Sequence, residues 1–221
     1  MTQAFPAARR SAARNGLWLA FALTLVLLTC TSMTGWILRH PVGEGWDEAA
    51  YINRAYKDFY AHRTGGLTGL GKALLVNYRS KPSAFRIVVL PVTLLAGPSP
   101  LLLRLSSEFI FLLSLFFLYK TLSTLSNPSA GLLAICLLAV CPSVRVVCMR
   151  YFTEPALLLA FTATTCFLAK ELIGKGTGLL NLFGLGGALC LGALSKLTFP
   201  WWPVPSSLRF FWESSAAFSR R

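Results

Sequence analysis

The chain has 221 residues, of which 55% are hydrophobic and only 13% charged, with a mean hydropathy of +0.60, a balance that excludes an ordinary soluble domain. The formal net charge of +13 does not point to nucleic acid, because the Lys and Arg residues are strung between apolar runs rather than gathered on one face; lipid phosphate at a bilayer interface is the expected partner. The expected fold is all-α, a polytopic membrane helix bundle of about five transmembrane helices with an external loop of juxtamembrane helices.

Residues 1–16 carry Arg9, Arg10 and Arg14 and no acid, so the positive-inside rule assigns this basic N-terminus to the cytoplasm. The apolar run from Gly16 to Leu38 is long enough to span, and it lacks a small-x-small cleavage site that would make it a removed signal. A transmembrane unit over 17–200 follows, with an external loop over 39–100. In that loop Asp47 to Ala61 has helical character, since Tyr51, Ala55 and Phe59 recur four apart. Its apolar stripe is expected to lie along the membrane surface, with Arg54, Lys57 and Asp58 elsewhere on the wheel.

The run from Ala84 to Gly97 contains Arg86 and Pro91 and ends at Gly97, Pro98 and Pro100. It is too short to cross and is expected to be re-entrant or juxtamembrane. Four further spans are predicted at Leu101–Leu122, Ala130–Cys148, Pro155–Leu172 and Leu179–Phe199. Trp201 and Trp202, among Pro200, Pro203 and Pro205, mark the exit of the last span at headgroup level, and residues 201–221 form a short tail.

Cys30, Cys136, Cys141, Cys148, Cys166 and Cys190 all fall in or at the ends of apolar runs without CxxC pairing, and are expected to be small packing residues. His40 and His62 have no ligand-like spacing. Glu108 sits inside a span, one turn after Arg104, and a structural ion pair along one helix face is the expected use of both.

The acids define the candidate site. Asp47 follows the first span and Glu154 precedes the fourth, so an even number of crossings separates them and both emerge on one face, provided that 84–97 does not cross. Asp47 and Glu48 open a helix and Glu154 with Pro155 opens another, so capping and dipole stabilisation are one reading of these carboxylates and a working site is the other. Lys81 in SKPSAF, Arg150 in CMRYFTEP and Lys196 in LSKLTFP fall on the same side. They are candidates to hold a phosphate, with interfacial snorkelling as the alternative. Tyr51, one turn beyond Asp47, joins them as a substrate-binding candidate.

The order WDEAAY, KPSAF, LLLRLSSEFIFLLSLFFLY, RYFTEPALLLAF and LGALSKLTFP resembles the multi-spanning C-type glycosyltransferases. More narrowly, it resembles the amino-terminal half of the dolichyl-phosphate-mannose-protein mannosyltransferase and aminoarabinose transferase group. The resemblance covers about residues 16–200. KPS stands here where the family has KPP, LSKLTFP departs from LTKP, and Glu108 occupies a usually apolar position. The resemblance implies a multi-pass cell-membrane enzyme, in the inner membrane if bacterial, that uses a polyprenyl-phosphate sugar donor. It implies that Asp47, beside Glu48, is the general base of an inverting displacement, that Glu154 orients acceptor or metal, and that Lys81 and Arg150 hold the donor phosphate. It leaves open whether a divalent cation takes part.

Family members usually have more spans. A fragment, a short member, or a chain whose missing helices come from a membrane protein partner are therefore all expectations here. The alternative to an enzyme is a truncated or non-catalytic membrane protein of the same scaffold, in which the acids serve as caps. A small transporter fits less well, because the ionisable residues gather at one face rather than at the midplane.

Overall fold

The computed structural model describes residues 5–40, 45–78, 84–176 and 178–195. Every regular element among the described residues is a helix: α1 (Phe5–Arg39), α2 (Trp46–Tyr78), α3 (Ala84–Ala96), α4 (Pro100–Leu125), α5 (Pro128–Val140), α6 (Pro142–Cys148), α7 (Glu154–Leu172) and α8 (Leu179–Ser195). Proline and glycine set most of the boundaries. Gly97 (φ 81°) turns the chain between α3 and α4, and Pro100 opens α4 at a position whose N–H has no helical acceptor. Asn127 caps α5 by accepting from the Ala130 N–H at 2.9 Å, ahead of Pro128. Gly174 (φ 68°) ends the turn after α7.

Three helical stretches are long and apolar enough to cross a membrane: Gly16–Arg39, Pro100–Leu125 and Glu154–Leu172. The α5–α6 pair makes a fourth if it is counted as one broken span. The single span expected over Ala130–Cys148 is thus bent, by 69°. Pro142 is the cause: it forces Cys141 into an extended conformation (φ −64°, ψ 114°), so the helix restarts instead of continuing. α8 is apolar but 17 residues long as described, and the rest of its expected span, with Trp201 and Trp202, lies outside the described residues. With 13 residues, α3 rises only about 20 Å, short of a hydrocarbon core, as its sequence led one to expect. The chain is a multi-pass helical membrane protein, and the outward Leu17, Phe21, Leu27 and Leu28 of α1 form the surface that lipid covers.

α4 is the central element, packed on α7, α5 and α1, with α8 against α7. One apolar cluster joins α1, α4, α5 and α6 through Met33, Phe111, Leu115, Ala139 and Cys148. A second joins α2, α3, α4 and α7 through Tyr51, Ile52, Ala55, Phe85, Val89, Leu103, Ile110 and Ala156, with Tyr151 from the turn before α7.

That second cluster corrects the expectation for α2. The helix runs beyond Ala61 to Tyr78, with a break at Gly66 (φ 58°, ψ −151°). Tyr51 and Ala55 of its expected stripe, with Ile52, pack into protein rather than on the membrane surface, while Phe59 is half-buried outside that cluster. Asp58, read as lying elsewhere on the wheel than the stripe, is buried because Arg86 of α3 meets it there. The Arg104–Glu108 pairing is also overturned. Both residues are buried on α4, but Arg104 turns its guanidinium to another helix, and Glu108 accepts from the Thr34 hydroxyl of α1 at 2.9 and 3.0 Å. A partner on a facing helix satisfies each group and also holds two helices together, which an i,i+4 pair along one helix does not. All six cysteines are free thiols, and Cys148 and Cys166 are buried packing residues.

Candidate functional site

The first turn of α2 carries Asp47 and Glu48, and the helix gives them different surroundings. Asp47 is exposed. Glu48 is fully buried, at 0% exposure. Consecutive helical residues differ by about 100° around the axis, so when Glu48 faces the bundle Asp47 is carried to its rim.

Both oxygens of Glu48 are engaged. Arg104 of α4 donates from Nε to Oε1 at 2.7 Å and from Nη2 to Oε2 at 2.9 Å, and the Tyr151 backbone N–H donates to Oε1 at 3.0 Å. The remaining terminal nitrogen of Arg104, Nη1, donates to the His40 carbonyl just past the end of α1. Its guanidinium also lies 5.3 Å from the centre of the Trp36 ring, which stacks on His40 at 4.4 Å. A carboxylate and a guanidinium out of water are tolerable only when paired and hydrogen-bonded on all sides, and here each is. One ion pair thereby ties α1, α2, α4 and the turn between α6 and α7.

That turn holds the other candidates. Arg150 and Glu154 are half-buried on either side of Tyr151, Phe152 and Thr153, and the Thr153 hydroxyl donates to Glu154 at 3.3 Å. Glu154 and Pro155 open α7, where a carboxylate also suits the dipole. The bond from Tyr151 N–H to Glu48 brings this turn against the first turn of α2. Tyr51 is 7% exposed and belongs to the apolar cluster, with the Arg54 guanidinium 6.0 Å from its ring centre. Lys81 and Lys196 lie outside the described residues.

Tyr151 is the residue that sequence reasoning missed. Its ring is fully buried against Phe85 at 4.6 Å, and its hydroxyl has no hydrogen-bond partner among the described residues. Burial pushes the phenol well above its ordinary range, Arg86 pulling it partly back and Asp58 pushing it further up. The only signal in the sequence was its place inside RYFTEP. Arg104 was noticed, but with the wrong partner. Among the described residues, no three His, Cys, Asp or Glu side chains converge as metal ligands. The arrangement therefore offers an exposed carboxylate beside a locked one, with a cation and a third carboxylate on the adjoining turn.

Comparison with known proteins gives one family. The family model described as dolichyl-phosphate-mannose-protein mannosyltransferase matches residues 80–216. The match takes in Arg150 and Glu154 and begins after Asp47 and Glu48. No curated protein and no solved structure matches the chain.

Proposed function

The chain belongs to the dolichyl-phosphate-mannose-protein mannosyltransferase family, a family of membrane glycosyltransferases, and from that premise we propose that it moves a sugar from a polyprenyl-phosphate carrier to an acceptor with inversion at the anomeric carbon. Asp47 is the general base. It takes the proton from the acceptor hydroxyl or amine as that atom attacks the anomeric carbon, and the bond to the phosphate oxygen breaks with its electron pair leaving on the polyprenyl phosphate. Arg150, with Lys81 and Lys196, holds the phosphate and offsets the charge it gains. Glu154 orients the acceptor.

Glu48 has a different task in this scheme. Fully buried, with both oxygens accepting bonds from Arg104 and the Tyr151 N–H, it serves to fix the rotation of α2 that presents Asp47. Tyr51 supports the same turn. The face concerned is external, with the N-terminus in the cytoplasm. Nucleotide sugars belong to the cytoplasm, which makes a lipid carrier the fitting donor for an external site.

The observation that supports the reading is the buried bond from the α6–α7 turn to Glu48, which joins the turn bearing Arg150 and Glu154 to the first turn of α2, the turn on which Asp47 is exposed. A labelled lipid-linked sugar supplied to membranes containing the full chain tests it. Transfer is expected with the wild type, and a loss of roughly 10²- to 10⁴-fold with Asp47→Asn. An unaltered rate in that variant would remove Asp47 as base, and a wild type without transfer would favour the non-catalytic scaffold, with Asp47 as a helix-start residue alone.

A further inference from the structure

Asp58 and Arg86 form a second buried ion pair, which the scheme above leaves without a task. Arg86 donates from Nε to Asp58 Oδ2 at 2.7 Å and from Nη2 to Oδ1, and neither side chain is more than 2% exposed. The pair fastens the start of α3 to the fourth turn of α2. Phe85 is the residue next to Arg86, and its ring packs at 4.6 Å on the ring of Tyr151. Tyr151 in turn adjoins Arg150 and gives its N–H to Glu48. The turn that bears Arg150 is therefore gripped twice: by Glu48 through the backbone, and by Asp58–Arg86 through Phe85 and the tyrosine ring.

We propose that the Asp58–Arg86 pair is a positioning device for Arg150, and through it a determinant of affinity for the donor's lipid phosphate. The inference rests on the assignment of Arg150 to that phosphate. A buried pair that loses one charge leaves the other without compensation, and the least costly relief is for α3 to draw away from α2. Phe85 then leaves the face of Tyr151, and the Arg150 turn loses the anchor that the tyrosine ring supplies.

The two partners have opposite charge, which separates positioning from direct binding. The full chain in lipid nanodiscs is titrated with a polyprenyl monophosphate. Arg86→Gln and Asp58→Asn are each expected to weaken binding about five- to tenfold, in the same direction. Phe85→Leu, which keeps the pair and removes the ring, is expected to weaken it about threefold. If the guanidinium itself met the phosphate, Asp58→Asn would instead tighten binding by freeing it. If the pair only held the fold together, the variants would melt earlier while their folded fraction kept the wild-type Kd. Either result overturns the proposal. Should both charge variants fail to fold, Phe85→Leu decides alone, and unchanged affinity in it overturns the route through Tyr151. A wild type that does not bind the lipid phosphate at all refutes the donor assignment itself, an outcome visible before any substitution is made.

Discussion

Glu48 and Arg104 lie 56 residues apart in the chain and meet as a closed two-point ion pair, Nε to Oε1 at 2.7 Å and Nη2 to Oε2 at 2.9 Å, with both side chains at 0% exposure. Such a pair adds little net stability over apolar residues of equal volume, yet losing one member strands a charge in a dry interior. Arg104→Met alone is expected to cost about 3–5 kcal/mol in detergent unfolding experiments. Combining it with Glu48→Leu should recover most of that loss, leaving about 1–3 kcal/mol for the Tyr151 N–H that no longer has an acceptor. A double variant no more stable than Arg104→Met would mean that the stranded carboxylate is not the source of the cost.

Asp47 and Glu48 are neighbours with opposite exposure, and they should fail in different ways. Asp47→Asn replaces an exposed carboxylate at the start of α2 and is expected to leave the melting curve nearly in place while transfer drops by roughly 10²- to 10⁴-fold. Glu48→Gln strips the charge that balances Arg104 and is expected to lower both the melting temperature and the rate. Thermal melts and transfer rates measured on the same preparations check the contrast.

Tyr151 gives a prediction in pH. Its hydroxyl is buried without a hydrogen-bond partner among the described residues, so Tyr151→Phe removes an unsatisfied group and is expected to be neutral or to stabilise by about 1 kcal/mol near neutral pH. The folded pKa stands above the ordinary value of 10 because burial disfavours the phenolate. The unfolded chain therefore loses this proton first, and the folded state binds more protons above pH 10. The tyrosine's contribution to stability is present below that pH and is lost as pH rises through the folded value. Denaturant titrations at increasing pH should show the wild type losing ground to Tyr151→Phe only on the alkaline side, and a constant gap would refute the sign.

The helices were legible where local chemistry fixes them. The apolar run after Gly16, the Gly97–Pro100 break and the TEP start of α7 all follow from propensity, length and proline geometry, and they reappear within a few residues. The partners of buried charges were not legible, because pairing is a long-range fact. An Arg and a Glu four apart on one helix look like a pair in the sequence, but Arg104 has a better partner on α2 and Glu108 one on α1. Asp58 misled for the same reason. On a helical wheel a carboxylate belongs outside, and only Arg86, reaching in from α3, makes the buried position tenable. In the site, Asp47 and Glu154 could be placed on one face by counting crossings, whereas the bond that joins their two turns runs through a backbone N–H and leaves no mark in residue identity.

The packing of α8 on α7 rests on one glycine in a way its neighbours do not share. A Cβ at Gly184 would come under 3.0 Å from three atoms of the Phe167 ring, while one at Gly186 would meet nothing within 4 Å. Phe117 lies 5.8 Å from the Phe167 ring on the α4 side, so a ring pushed from Gly184 moves toward it. Small residues let membrane helices approach closely, and a methyl group at such a contact forces the helices apart. Gly184→Ala is thus expected to destabilise by about 1–3 kcal/mol, whereas Gly186→Ala is expected to be neutral or to gain up to about 1 kcal/mol from helix propensity. Adding Phe167→Leu to Gly184→Ala supplies the missing space and should restore part of the loss. If the two alanine variants melt alike, the contact between Gly184 and Phe167 does not set the spacing of α7 and α8.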